Sequence, residues 1–436
     1  MPQTTVILLS LSIALLSGLL LTRLASKLRL PAVTAYLVAG VIIGPHILGK
    51  LNIPWLGITE QTIGGLSIIS QVALGFIAFS IGKEFRLAQL KKIGKQATII
   101  GVFQAIFTTI VVDVVLIALH FAFREKLPLN VAIVLGAAAT ATAPAATLMV
   151  VRQYKAKGPL TDILLPVVAL DDAVGLGVFA VSMGIAKTLG DGPVDLLAII
   201  LEPILEIVLS LGLGAIIGVL FTFTEKFFHS RSKRMAVTVT YVLIAVAISN
   251  MKFTVFGIHI GFSSLLTCMM LGSVFCNLCD VSEELMDRAD RWTAPILILF
   301  FVISGAELNL GVFSDFLIVL IGLVYILSRS LGKYFGASIS AKLTKCDDNI
   351  VKYLGITLFP QAGVALGMAF TAVTELGAEG AIIRNIILFA VLIYELVGPF
   401  LTKIALTKAG DIKPEHKTSA RGEVSQKLPP HPKTMK

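Results

Sequence analysis

Apolar residues fall in long runs from one end of the chain to the other, separated by short polar or Gly/Pro-bearing segments. Runs of about 20 residues with almost no charge have the length of a bilayer-spanning helix. Read in order, they predict thirteen spans, at 5–24, 31–51, 62–82, 96–121, 129–151, 161–186, 196–224, 235–251, 254–278, 292–310, 313–341, 350–374 and 382–405. No basic residue precedes the first run, and Arg23, Lys27 and Arg29 follow it, so it reads as a retained span rather than a signal peptide. Residues 1–407 then form one membrane domain, and the polar, Pro-bearing segment 408–436 is expected to be a short disordered tail.

Composition agrees with this pattern. Hydrophobic residues make up 56% of the 436 and charged residues 14%, against about 25% charged in a soluble domain. Mean hydropathy is +0.90. With an odd number of spans the termini lie on opposite sides. The loops on the side of the C-terminus hold 28 of the 36 basic residues and the other side 6, while Arg329 and Lys333 lie inside a span. By the positive-inside rule the N-terminus is outside and the C-terminus cytoplasmic. The net charge of +9 is therefore topology rather than a nucleic-acid surface. Four cysteines give no disulfide framework, and the lone pair Cys276 and Cys279 lacks a second pair for a metal. The histidines show no ligand spacing, and no G-x-x-x-x-G-K-[ST] loop is present. No cofactor, resident metal, nucleotide or nucleic acid is expected, and an ion gradient should supply the driving force.

Two short strings recur at one offset. Gly82-Lys83-Glu84-Phe85-Arg86-Leu87 matches Gly305-Ala306-Glu307-Leu308-Asn309-Leu310, and Asp171-Asp172-Ala173-Val174-Gly175 matches Tyr394-Glu395-Leu396-Val397-Gly398, each 223 residues apart. The matched spans are seven apart, so they run in opposite directions, as in the inverted repeats of secondary transporters. Spans 2–6 would mirror spans 9–13. Spans 5 and 12 are interrupted at corresponding places, by Thr140-Ala-Thr142-Ala-Pro144 and by Pro360-Gln361-Ala-Gly363. Each proline should free carbonyls one turn earlier, so that two broken helices line a polar cavity.

The chemistry concentrates on span 6. Two acids at the bilayer centre, Asp171 and Asp172, are costly, at about 2.5–3.5 kcal/mol each on insertion scales, and point to function. Neighbours on a helix point about 100° apart, so the two have different tasks. Arg329 and Lys333, one turn apart on span 11, are the candidate partners. Asp113, Glu307 and Glu395 are secondary candidates, with Glu307 explained by solvation near the outer interface. An intramembrane protease would need its two aspartates on different helices. A cation channel or gated K⁺ efflux pathway would need a continuous pore, and no selectivity loop is visible.

The runs Pro144-Ala-Ala-Thr147, Lys157-Gly158-Pro159-Leu160-Thr161-Asp162, Val168-Ala-Leu-Asp171-Asp172-Ala-Val174, Phe300-Phe-Val-Ile-Ser-Gly-Ala-Glu-Leu308 and Pro360-Gln-Ala-Gly-Val-Ala365 closely resemble the membrane domain of bacterial monovalent cation:proton antiporters, in the branch with two adjacent aspartates. The resemblance implies an all-α sodium/proton antiporter fold in the inner membrane and a homodimer with a fixed scaffold. A core of spans 4–6 (96–186) and 11–13 (313–405) would move the site across the membrane. It implies that Asp172 binds the cation, Na⁺, K⁺ or Li⁺, or a proton. Asp171 would pair with a lysine that Lys333 matches, with Arg329 as the open alternative. Thr140, Thr142 and freed carbonyls around Pro144, Pro360 and Gln361 would complete the cation's shell. Some relatives carry a lysine after the span-12 proline; Gln361 stands there in this chain.

Overall fold

The computed structural model describes residues 3–412 except 29, 52–56, 91–93, 190–195, 252, 256–257 and 312–314. Helices dominate: α1 (Gln3–Leu28), α2 (Ala32–Ile43), α3 (Glu60–Gly82), the short α4 (Leu87–Leu90), α5 (Lys95–Ala122), α6 (Leu129–Ala138), α7 (Pro144–Gln153), α8 (Pro159–Thr188), α9 (Leu196–Glu225), α10 (Arg231–Ser249), α11 (Ser264–Leu278), α12 (Ser282–Trp292), α13 (Ala294–Ala306), α14 (Phe316–Leu343), α15 (Asp348–Thr357), α16 (Gly363–Leu376) and α17 (Ala378–Lys408). Large apolar side chains such as Leu16, Leu20, Ile110, Val208, Phe223 and Leu327 stay half or more exposed on α1, α5, α9 and α14, as expected of surfaces that face lipid.

Among the described residues nine helices are long and apolar enough to cross a membrane, and a tenth span arises if α12 and α13, bent by 48°, count as one. The expected thirteen spans are therefore not all single long helices. The fifth and twelfth fall into the short pairs α6/α7 and α15/α16. The ninth is corrected at its start: Phe253–Val255 and Ile258–Ile260 form an antiparallel hairpin, β1 and β2, and α11 begins only at Ser264, with the Ser263 hydroxyl accepting from the Leu266 amide. A short β-branched apolar run cannot be told from helix by hydropathy alone. The tail expectation is also corrected at its edge. The Asp411 carboxylate accepts from the Thr161 amide and hydroxyl, each at 2.7 Å, holding residues up to 412 against the positive end of α8. The rest of the segment to 436 lies outside the described residues.

The repeat is visible in the order of elements. A 28-residue helix, a broken pair and a helix of 30 or 31 residues occur twice, as α5–α6/α7–α8 and α14–α15/α16–α17. Each matched pair is antiparallel. At one end of α5 Gln96 donates to the carbonyl of Thr344, and past its other end Lys126 meets Asp315, which caps the start of α14. The start of α6 touches the start of α17 through Asn130 and Glu379, and the start of α8 meets Asp411 just past the end of α17.

The remaining helices pack through close glycine contacts. A Cβ on Gly40 of α2 would lie 2.0 Å from the Val302 carbonyl of α13, and one on Gly305 would lie 2.2 Å from the Leu37 carbonyl. Such backbone approach is the usual adhesive between helices in lipid, where apolar burial gives no net drive.

Candidate functional site

The two breaks cross each other. The Ala143 amide donates to the Pro360 carbonyl at 2.8 Å, the Thr142 hydroxyl reaches the Leu358 carbonyl at 3.4 Å, and the Thr147 hydroxyl reaches the Thr357 carbonyl at 3.3 Å. Pro144 is the first residue of α7, where its missing N–H costs nothing. It starts the second half-helix rather than kinking a continuous one. Pro360 is buried in the other break and leaves Gly398 of α17 no room for a side chain, since a Cβ there would lie 2.8 Å from its ring.

The break in α6/α7 exposes a row of carbonyls at membrane depth, where no bulk water satisfies them. Side chains of the other half take them up. Gln361 donates to Ala138 at 2.9 Å, and Arg329 donates to Ala139 at 3.0 Å and to Ala141 at 2.7 Å. Lys333 donates to Thr140. The third guanidinium contact is the Phe359 carbonyl of the second break, at 2.8 Å. Arg329 is fully buried, with its guanidinium carbon 4.5 Å from the centre of the Tyr394 ring. The freed carbonyls of span 5 at Ala138, Ala139, Thr140 and Ala141, expected to face a cation, each accept from one of these side chains.

The same contacts decide the partner of Asp171. Lys333 Nζ lies 2.5 Å from Asp171 Oδ2, and both side chains are fully buried. Arg329 is spent on backbone carbonyls, so Lys333 makes the pair. Asp171 also accepts from the Thr142 hydroxyl and the Gln104 side-chain amide. Three donors, from α14, from α5 and from the break between α6 and α7, fix this carboxylate, as a buried charge requires. Gln104 went unnoticed in the sequence; a buried amide two turns into an apolar helix was the available signal. Asp172, the next residue on α8, is 4% exposed. One turn further on, Gly175 lies against Thr140, whose hydroxyl oxygen is 2.5 Å from where a Gly175 Cβ would be. That hydroxyl donates to the Ala137 carbonyl at 2.7 Å, which aims its lone pairs elsewhere. Gln361 Oε1 and Gln104 Oε1 are buried with no hydrogen-bond partner among the described residues.

The secondary candidates lie apart from this cluster. Asp113 sits on Gly136 of α6, and its Oδ1 has no partner among the described residues. Glu395 is 1% exposed on α17 and accepts from Thr34 of α2 at 3.4 Å. Glu307 is corrected: instead of being solvated at the interface, its carboxylate is 11% exposed and 3.4 Å from Arg384 of α17. Nor are Arg329 and Lys333 the only basic residues on core helices. The long helices run past the edges of the apolar runs, so Lys187 falls in the last turn of α8 and Arg384 in the second turn of α17.

Comparison with known proteins completes the description. Over 419 residues the chain is 23% identical to the Na(+)/H(+) antiporter NhaS4 of Synechocystis sp., an alignment that covers 93% of this chain and 98% of that protein. Its fold is similar to that of the sodium proton antiporter MjNhaP1 from Methanocaldococcus jannaschii. The TM-score is 0.70 to the structure at pH 8, at 18% identity over 93% of this chain and 99% of that one. To the structure from its electron-microscopy map the TM-score is 0.59, over 92% and 94% of the two chains. Residues 11–408 match the transmembrane domain of sodium/hydrogen exchangers, and the chain belongs to that family of multi-pass secondary transporters, which exchange a cation for protons across a membrane.

Proposed function

We propose that this chain exchanges Na⁺ for H⁺ at one site on α8, with Asp172 binding either ligand. The observation that carries this reading is the buried Asp171–Lys333 pair at 2.5 Å, held by Thr142 and Gln104 at the crossing of two broken helices, one residue from a second buried aspartate. Asp171 is spoken for by three donors, which leaves the exchange to its neighbour. Hard monovalent ions need oxygen ligands. The Asp172 carboxylate, the Thr140 hydroxyl and the unpartnered Gln361 Oε1 supply them in our reading.

Asp171, Asp172, Lys333 and Arg329, all ionised, sum to zero charge. A proton on Asp172 and a sodium ion beside it each raise that sum by one, so the two loads present the same charge to the bilayer. Either load neutralises the Asp172 carboxylate locally, and the net charge carried through the low-dielectric barrier is the same for both. Proton and cation therefore compete for one carrier. If cation binding opens the Asp171–Lys333 pair and Lys333 then gives up its ammonium proton, that proton leaves together with the one displaced from Asp172, two protons are exchanged per cation and transport responds to voltage. Unchanged voltage dependence in Lys333→Gln would remove that stoichiometry.

In this reading α5–α8 and α14–α17 form a core that slides as a body against a scaffold of α1–α3 and α9–α13. The chain works as a homodimer in the bacterial inner membrane, N-terminus outside, and catalyses no covalent chemistry. The test is fluorescence-detected ΔpH in proteoliposomes, with Na⁺, K⁺ or Li⁺ added in turn to wild type and to Asp172→Asn. Collapse of ΔpH by Na⁺ that is lost in the variant is the expected result, and a response to K⁺ or Li⁺ would name another cargo. Cation flux without protons would instead indicate a channel.

A further inference from the structure

Among the described residues two ion pairs join the proposed core to the proposed scaffold, and both lie at the outer end of the molecule. Lys187, in the last turn of α8, has Nζ 3.5 Å from Glu206 of α9 and 3.3 Å from Glu375 of α16. Arg384 of α17 lies 3.4 Å from Glu307, at the end of α13. Beneath Lys187 a cavity of about 300 Å³ separates the two sets of helices, with Phe179, Lys187 and Glu375 on the core side and Gln71, Glu206 and Asn250 on the scaffold side. It reaches inward as far as Phe179, seven residues along α8 from Asp172, or about 10 Å of helix.

Glu375 sits on the core with Lys187 and travels with it, whereas Glu206 stays behind. Sliding of the core therefore breaks Lys187–Glu206 while Lys187 keeps a carboxylate, so its charge is never stranded in the mouth of the cavity. We propose that Lys187 and Glu206 are positioning residues for transport: their ion pair is a latch that holds the outer mouth shut and must open once in every cycle. Arg384–Glu307 is its counterpart on the other flank. This rests on the sliding-core reading above and adds to it the residues that set the balance between outward- and inward-facing states.

A latch and a simple charge effect make opposite predictions. Removing the Glu206 charge from an outer vestibule would, by electrostatics alone, weaken cation capture from outside and leave the inner face unchanged. Opening a latch shifts the population towards the outward-facing state. Proton-coupled exchange is measured in vesicles of fixed orientation, with Na⁺ titrated on one face at a time. For Glu206→Gln, KM on the outer face is expected to fall about threefold and KM on the inner face to rise about threefold, a population change that ordinary two-state linkage supplies. A rise on the outer face alone, or no shift on either, would overturn the proposal. Should Glu206→Gln fail to assemble, Lys187→Gln carries the same opposed shifts. In a Cys346→Ser background, Lys187→Cys with Glu206→Cys joined by a short bifunctional thiol reagent should stop transport, and full transport by the cross-linked protein would refute the latch. Absence of cation-coupled proton movement in wild type would instead remove the transport reading, and this proposal with it.

Discussion

The Asp171–Lys333 pair offers the sharpest quantitative test. Both side chains are fully buried, their charged atoms are 2.5 Å apart, and Lys333 also serves the Thr140 carbonyl. Replacing Lys333 by Met removes one partner and leaves the other charge in a medium that solvates it poorly. Breaking a buried pair from one side costs about 3–5 kcal/mol, whereas removing both charges together is often near neutral. Lys333→Met and Asp171→Asn should therefore each destabilise the protein by about 3–5 kcal/mol, and the double variant by far less than their sum. Some loss remains in the double variant, because the Thr140 carbonyl and the Gln104 and Thr142 donors lose charged partners. Equilibrium unfolding in mixed detergent micelles gives the three values, and a double-mutant cycle gives the coupling, expected to exceed about 2 kcal/mol. Strict additivity would refute the pairing, as would Arg329→Met rescuing Lys333→Met.

Four further outcomes are expected. Gln104→Leu removes the donor to Asp171 Oδ1 and should cost about 1–3 kcal/mol in the same unfolding assay, with Gln104→Glu worse because it sets two acids face to face. Gly175→Ala would place its methyl 2.5 Å from the Thr140 hydroxyl oxygen; displacement of that ligand should raise the KM for Na⁺ at least several-fold while folding is kept, and an unchanged KM would exclude Thr140 from the site. Gly40→Ala forces α2 away from the Val302 carbonyl, at about 1–3 kcal/mol, and thermal unfolding in detergent should drop accordingly. At the surface the hydrogen bond from Lys126, 2.6 Å away, holds the Asp315 carboxyl below its ordinary range. Its stabilisation is present above the ordinary carboxylate pKa and lost as pH falls through the lowered one, so the small melting difference between wild type and Asp315→Asn should be constant near neutrality and vanish in acid. A difference that persists in acid would contradict this origin.

The acids and bases of the site were legible because charge inside an apolar run stands out against a uniform background, and Asp171, Asp172 and Lys333 needed no neighbour to be noticed. The breaks were legible through Pro144 and Pro360, and the two-fold order of helices through one offset in weak strings. What stayed hidden depends on partners far away in the chain. Nothing around Arg329 says that its guanidinium will cap carbonyls 188 and 190 residues earlier rather than face an aspartate. Gln104 is an ordinary polar residue until Asp171 is folded against it. The hairpin strands Phe253–Val255 and Ile258–Ile260 escaped because an alternation of only three residues each, Phe-Thr-Val and Ile-His-Ile, is too short to stand out at the edge of a longer apolar stretch.

The division of labour between the two breaks has a consequence for how the protein is made. The carbonyls of the α6/α7 break emerge early, and the residues that satisfy them lie as much as 223 positions later, at Gln361. At about 5–20 residues per second, synthesis of that stretch takes about 10–45 s. During this interval the first half of the core lacks the side chains that satisfy these carbonyls in the finished fold, and lipid cannot replace them. The first half cannot close by itself, so a lesion at Arg329 should surface as a failure of biogenesis, read as lost yield in the membrane, before it is ever read as lost transport.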